Sequence, residues 1–194
     1  MHMSLRIENI TKKFADKVII DGFSYTFSDK GAYCLFGESG TGKTTLLRMI
    51  AGLDTDYIGK IFGGGIKNVS VHFQEYRLFP QLNAIENATI MCNNSKECVD
   101  LAKNYLLRLG FCEEEMHLFP KELSGGMKQR VAFVRSLMKK CNILLLDEPT
   151  KELDSKLCSE INKIIKEESL SRLVITVSHR LDDIIDQNAI VVNM

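Results

Sequence analysis

Apolar residues along this chain recur first with the period of a strand and then with that of a helix. Leu5 to Phe14 and Lys17 to Phe27 carry alternating or β-branched apolar residues on either side of a polar turn, which predicts two extended segments. Ala32-Tyr-Cys-Leu-Phe36 is an unbroken apolar run, as expected of a short buried strand. From Lys43 to Ala51 the period lengthens. Leu46, Leu47 and Ile50 share one helical face, and Gly52 stands where a C-terminal cap belongs. Two further short strands are predicted between Gly59 and Gln74, around the turn Gly63-Gly64-Gly65. From about Leu82 to Phe119 the pattern is helical. Its clearest helix runs from Ser95 to Leu109, with Asn94 and Glu97 spaced as a capping box and Gly110 as the stop. Another helix begins after Ser124, with Met127, Val131, Val134 and Met138 as its apolar stripe. Ile143 to Leu146 and Leu173 to Val177 are predicted buried strands, apolar apart from Thr176, Cys158 to Glu168 is helical between them, and Ala189 to Val192 adds a last strand. Apolar strands alternating with helices indicate an α/β fold whose parallel sheet is covered on both faces.

At 194 residues the chain fits one domain with a substantial core. The 25 basic and 25 acidic residues cancel, so the charge balance gives no footprint for nucleic acid or an anionic membrane. The six cysteines form no Cys-x-x-Cys pair and no zinc-spaced cluster. Cys34 and Cys141 adjoin apolar runs and are expected to be buried thiols, in keeping with a reducing, cytosolic compartment. No signal peptide is expected, and the longest apolar runs fall far short of the roughly 20 residues of a membrane-spanning helix.

The densest chemistry lies between the third strand and the first helix. Gly37-Glu38-Ser39-Gly40-Thr41-Gly42-Lys43-Thr44 has the form G-x-x-x-x-G-K-[ST], and Thr45 follows it. In such a loop the main-chain N–H groups of Gly40, Thr41, Gly42 and Lys43 turn inward towards phosphate oxygens, and the helix that starts there points its positive end at the same anion. Lys43 is placed to bridge β- and γ-phosphates and the Thr44 hydroxyl to ligate Mg²⁺. Asp147 ends a strand of Ile and Leu, where a carboxylate needs a cation; a water-mediated role on Mg²⁺ supplies one. Glu148 follows at once and is a candidate general base for an attacking water. Leu123-Ser-Gly-Gly-Met-Lys-Gln-Arg130 lies between the two motifs, and its glycines have no evident task within the same site.

The order of these motifs, with Gln74 in Val71-His-Phe-Gln-Glu75, Lys151-Glu-Leu-Asp154 and Val177-Ser-His179, resembles the ATP-binding-cassette (ABC) ATPases from about Leu5 to Val192. The resemblance implies a phosphate-loop NTPase cassette, residues 1–194, with a mostly parallel core sheet, a small antiparallel β subdomain and a helical subdomain at about 82–135. It implies ATP and Mg²⁺ as ligands, and two cassettes meeting head to tail. Each ATP then lies between the phosphate loop of one copy and Ser124, Gly125 and Gly126 of the other. Gln74 would contact Mg²⁺ and the lytic water, His179 the γ-phosphate, and Asp154 the facing site. Phe14 is the candidate to stack on adenine, with Tyr25 and Phe23 as weaker ones packed against the sheet.

The sequence also departs from the family. The stretch between the phosphate loop and Gln74 is short, Lys151-Glu-Leu-Asp154 replaces the commoner Ser-Ala-Leu-Asp, and Glu38 stands where proline or asparagine is usual. The C-terminal regulatory domain of some importer ATPases is expected to be absent. Gln74-Glu-Tyr-Arg-Leu-Phe-Pro80 and Leu82-Asn-Ala-Ile-Glu-Asn87 are similar to bacterial importer cassettes for nitrate, sulfonate, taurine and related solutes. That likeness implies a homodimer working with transmembrane permease subunits and an extracytoplasmic solute-binding protein, on the inner face of the cell membrane. The competing classes are a soluble cassette serving a nucleic-acid complex and a non-catalytic nucleotide sensor. Against the first stand the neutral charge and the lack of a coiled coil or zinc module; against the second, the retention of Glu148 and His179.

Overall fold

The computed structural model describes residues 5–15, 17–65, 67–92 and 95–194. In chain order the elements are β1 (Arg6–Phe14), β2 (Lys17–Thr26), β3 (Gly31–Phe36), α1 (Lys43–Ile50), β4 (Ile58–Phe62), β5 (Val69–His72), α2 (Ala84–Thr89), α3 (Lys96–Arg108), α4 (Gly125–Met138), β6 (Ile143–Asp147), α5 (Ser155–Ser169), β7 (Leu173–Val177), α6 (Leu181–Gln187) and β8 (Ile190–Asn193). Five strands form one parallel sheet in the order β5-β6-β7-β3-β8, and β2-β1-β4 form a separate antiparallel sheet.

The predominantly apolar strands β6 and β7 are buried on both faces because each face has its own core. Leu144, Leu146 and Val174 pack with α2, α3, α4 and α5, through residues such as Ala88, Leu106, Phe133 and Ile161. Ile143, Leu145, Ile175 and Val177 point the other way and pack with α1 and the antiparallel sheet, through Leu46, Ile50, Ile10 and Phe27. Alternation along the strand decides which core a residue joins, and buried Thr176 of β7 is met by Tyr33 O and Gln187 Oε1.

The strands around Gly63-Gly64-Gly65 do not pair with each other. β4 joins β1 and β5 joins β6, so the glycine turn carries the chain from one sheet to the other. It is pinned against the end of α1: Gly65 N–H donates to Ile50 O at 2.9 Å, and a Cβ on Gly64 would lie 2.5 Å from the same oxygen. α1 closes as expected at Gly52, which has φ 72° and donates to Met49 O, while Leu53 N–H reaches back to Arg48 O.

The cap of α3 differs from expectation. Asn94 lies outside the described residues, and the capping oxygen is Ser95 Oγ, which accepts from Cys98 N–H at 3.3 Å. A reciprocal capping box stands instead at α2, where Asn83 and Glu86 accept from each other's N–H at 2.9 Å. α6 was not anticipated; its two-turn length and exposed Leu181 and Ile185 leave little apolar period to read. Arg108 ties α3 to α5 by pairing with both carboxylate oxygens of Glu167, at 2.7 and 2.9 Å, and with Glu160 at 2.7 Å.

The cysteines depart in two respects from the expectation of free, buried thiols. Cys92 and Cys98 are joined in a disulfide, a pairing that their spacing does not announce. Cys34 is buried, but Cys141 is only half-buried, because it precedes β6 by two residues rather than lying in it. Among the described residues, no helix is long and apolar enough to cross a membrane.

Candidate active site

Three neighbouring strands of the parallel sheet end level with one another. Val177 of β7 is in register with Leu35 of β3 on one side and with Asp147 of β6 on the other. The residues just beyond these ends are therefore delivered to one place, at the carboxyl edge of the sheet where open α/β folds bind ligands. They are the loop from Gly37, then Glu148, then Ser178 and His179.

The loop wraps around its own lysine. Lys43 is 5% exposed, and its ammonium donates to Gly37 O at 2.9 Å and Glu38 O at 2.6 Å, with Thr41 Oγ1 at 3.4 Å. Burial lowers the Lys43 pKa, while Glu148 and Asp147 pull it back up, so the site holds a cation that gains from nearby negative charge. Gly42, at the head of α1, has φ 92°, and a Cβ there would meet Ile20 at 2.7 Å. The position requires glycine on both counts.

Thr44 Oγ1 donates to Asp147 Oδ1 at 3.1 Å, across 103 residues of sequence. Burial raises the Asp147 pKa, the Thr44 hydroxyl opposes that rise, and the neighbouring Glu148 adds to it. A pair of oxygen ligands converges here without a full positive charge of its own, which is the donor chemistry a magnesium ion takes.

Glu148 has φ 49°, a left-handed conformation uncommon for a residue with a side chain. Its N–H donates to Val177 O at 3.0 Å, which holds that conformation. Its carboxylate meets three groups from separate loops: Gln74 Nε2 at 3.0 Å, Lys151 Nζ at 3.0 Å and His179 Nε2 at 3.3 Å. Glu148 raises the Lys151 pKa through this hydrogen bond and charge. Lys151 was not singled out from the sequence as a site residue. Its only local signal is a place three residues after Glu148, and in a loop that spacing does not fix direction.

These groups line a cleft of about 430 Å³. Of the residues expected at the site, Phe14, Ser39, Gly40, Gly42, Lys43, Thr44, Thr45, Gln74, Glu148 and His179 border it. Gly37, Glu38 and Thr41 belong to the turn that carries Lys43, and Asp147 joins through Thr44. Ser124, Gly125, Gly126 and Asp154 do not border the cleft. Ser124 caps α4 by accepting from Met127 N–H at 3.2 Å, and Asp154 caps α5 by accepting from Leu157 N–H at 3.0 Å. Ser124, Gly125 and Asp154 face solvent.

Phe14 stands at the cleft edge, 53% exposed, with Lys12 Nζ 4.9 Å from its ring centroid. Lys12 is held there by Asp54 at 2.9 Å, a brace that the sequence did not disclose. Phe23 and Tyr25 instead pack against the second core. If the Phe14 ring stacks on adenine, replacing it by Ala removes a contact of about 1–3 kcal/mol. ATP affinity should fall by about 5–150-fold, with little change in melting temperature because the ring is not in the core. Isothermal titration with ATP and with tripolyphosphate separates the cases; equal losses for both would mean that the ring does not touch adenine.

The family described as "ABC transporter" matches residues 20–151. The chain is 35% identical over 193 residues to an Fe(3+) ions import ATP-binding protein of Fusobacterium nucleatum, covering 92% of this chain and 52% of that protein. It is 34% identical over 184 residues to an aliphatic sulfonates import ATP-binding protein of Streptomyces avermitilis, covering 94% and 73%. The chain spans about half the length of the iron-import and spermidine/putrescine-import relatives that it matches. Among solved structures, a dimeric ATP-binding cassette in a post-hydrolysis state, bound to ADP and Pi, superposes with a TM-score of 0.79 at 27% identity, over 92% of this chain and 89% of that one.

Proposed function

Given that this chain belongs to the ABC transporter family, we propose that it is the ATP-binding and ATP-hydrolysing subunit of an importer, one cassette domain over residues 1–194 with a helical subdomain at about 82–135. The reading rests above all on the convergence of Lys43, Glu148 and His179 on one cleft at the level ends of three strands.

The residues divide the chemistry as follows. The loop from Gly37 to Thr45 receives the phosphates, with Lys43 leaving the carbonyls of Gly37 and Glu38 for the β- and γ-phosphate oxygens. Magnesium, held by Thr44, by Asp147 through water and by the amide oxygen of Gln74, would neutralise phosphate charge. Glu148 takes the proton of the attacking water, and Gln74 and Lys151 fix the direction of its carboxylate. His179 donates to the γ-phosphate, and Phe14 stacks on the base.

Ser124, Gly125 and Gly126 supply the other half of the site from a second copy. They stand at the N-terminal end of a 14-residue helix, outside the cleft, with a hydroxyl and main-chain N–H groups suited to an anion. Asp154 orders the facing site from the same surface. ATP closes two copies because it touches both only in the closed dimer, and a symmetric pair carries two identical sites.

The exposed segment from Gln74 to Pro80 would carry the motion to permease subunits at the inner face of the membrane, with a solute-binding protein delivering a small solute. The named cargoes of the relatives (iron, spermidine/putrescine and sulfonates) differ, so the cassette is read as a motor and not as the element that selects the solute.

Light scattering tests the closure. In Mg-ATP, protein carrying Glu148→Gln should double its mass, and adding Ser124→Arg should return it to the monomer while ATP binding persists. A mass that stays monomeric without the Ser124 substitution would falsify the shared site.

A further inference from the structure

Beneath the cleft lies a buried polar cluster to which the preceding chemistry gives no part. Asp183, in the first turn of α6, is 1% exposed. Among the described residues its hydrogen-bond donors are neutral: Thr150 Oγ1 at 2.7 Å and Ser178 Oγ at 2.6 Å on Oδ2, and Asn162 Nδ2 at 2.9 Å on Oδ1. A buried carboxylate met only by neutral donors is a costly group to place in a core.

The two donors on Oδ2 come from the two loops that carry the reacting side chains. Thr150 follows Glu148 by two residues, and Ser178 immediately precedes His179. Ser178 Oγ also accepts from Arg180 N–H at 3.1 Å, so that hydroxyl grips the backbone on the far side of the histidine as well. Glu148 N–H is held by Val177 O, and His179 Nε2 stands 3.3 Å from Glu148 Oε1. The contacts close a ring from Glu148 through Thr150, Asp183, Ser178 and His179 back to Glu148. Within that ring Glu148 keeps its left-handed backbone, a conformation that persists only where the surroundings over-determine it.

We propose that Asp183 is a positioning residue for hydrolysis: by holding Thr150 and Ser178 on one carboxylate oxygen, it sets the placement of Glu148 relative to His179. This rests on the reading of the chain as an ATPase. Asp183→Asn keeps the shape but replaces one acceptor oxygen by a donor, which must face either the two hydroxyls or the Asn162 amide. Turnover should fall by about 10–100-fold, in line with a small misplacement of reacting groups, with the KM for ATP changed by no more than about twofold. Asp183→Glu, which keeps both acceptor oxygens, should recover much of the loss. Asn162→Ala removes the partner of Oδ1, and with it the acceptor of Gln187 Nε2 at 2.8 Å, but leaves both contacts to Oδ2 in place; it should lower the melting temperature and leave turnover within about twofold of the parent.

A second readout does not depend on turnover. The chain has four histidines, so the imidazole C–H signal of His179 can be assigned by NMR. Glu148→Gln should move that signal, Asp183→Asn should move it similarly, and Asn162→Ala should not. If Asp183→Asn does not fold, Thr150→Val and Ser178→Ala, each deleting one arm, are measured in its place. A parent chain that binds ATP without cleaving it would overturn the ATPase reading, and the NMR signal would still decide whether Asp183 sets the ring. Normal turnover with an unmoved signal in Asp183→Asn, accompanied only by a lower melting temperature, would reduce Asp183 to a folding role and overturn the inference.

Discussion

Glu148→Gln should slow ATP hydrolysis by about 10²–10⁴-fold, the usual contribution of a positioned general base, while leaving ATP affinity undiminished. The substitution keeps the shape and removes only the negative charge and its basicity. The Glu148 side chain is about one-fifth exposed and caps no helix, so the fold does not depend on its charge. Its partners Gln74, Lys151 and His179 would each keep a polar atom to meet. Removing a carboxylate from beside the phosphates also lifts a repulsion, so binding should hold or tighten. Phosphate release at saturating Mg-ATP, together with a direct binding measurement, checks both halves. Unchanged turnover would place the base elsewhere, and lost binding would make the carboxylate structural.

Lys43→Ala should act on the other half of that pair of measurements. Hydrogen bonds to charged groups contribute about 1.5–3 kcal/mol each. With two phosphate oxygens at stake, ATP affinity should fall by about 10²–10⁴-fold. The side chain also supports the carbonyls of Gly37 and Glu38, so part of the effect could come from a relaxed loop. Comparing adenosine with ATP locates the loss: intact adenosine binding confines it to the phosphate end, and a collapsed cleft loses both. Retained ATP affinity in Lys43→Ala would mean that the ammonium is a loop brace and not a phosphate ligand.

The phosphate loop was legible in the sequence because its geometry is local. Eight consecutive residues encode a turn, a left-handed glycine and a helix start, and the flanking apolar runs say which strand feeds it. The parallel core was legible for the same reason, since runs such as Ile143 to Leu146 tolerate no solvent-facing side. The distant contacts were not. Thr44 meets Asp147, and Gln74 meets Glu148, across 103 and 74 residues; the first pair was expected only as a shared role on Mg²⁺ and the second only through likeness to a family. Lys151 and Asp183 were missed because their importance lies in where a loop turns, which no period records. The separation of β4 from β5 was hidden because strand pairing is a long-range choice between β1 and β6. By contrast, the box Asn83-x-x-Glu86 is local, and the sequence carries a similar spacing at Asn94 and Glu97 that obscures it.

The common level of Leu35, Val177 and Asp147 has one more consequence. Side chains on a strand alternate sides, so deleting one residue from β7 would turn His179 and Ser178 about, presenting the wrong member of the pair to Glu148. The length of that strand is thus as constrained as the identity of the residues beyond it. The turn between β4 and β5 carries no reacting group, so its length is set instead by Gly64 and Gly65 packing on Ile50 O at the end of α1.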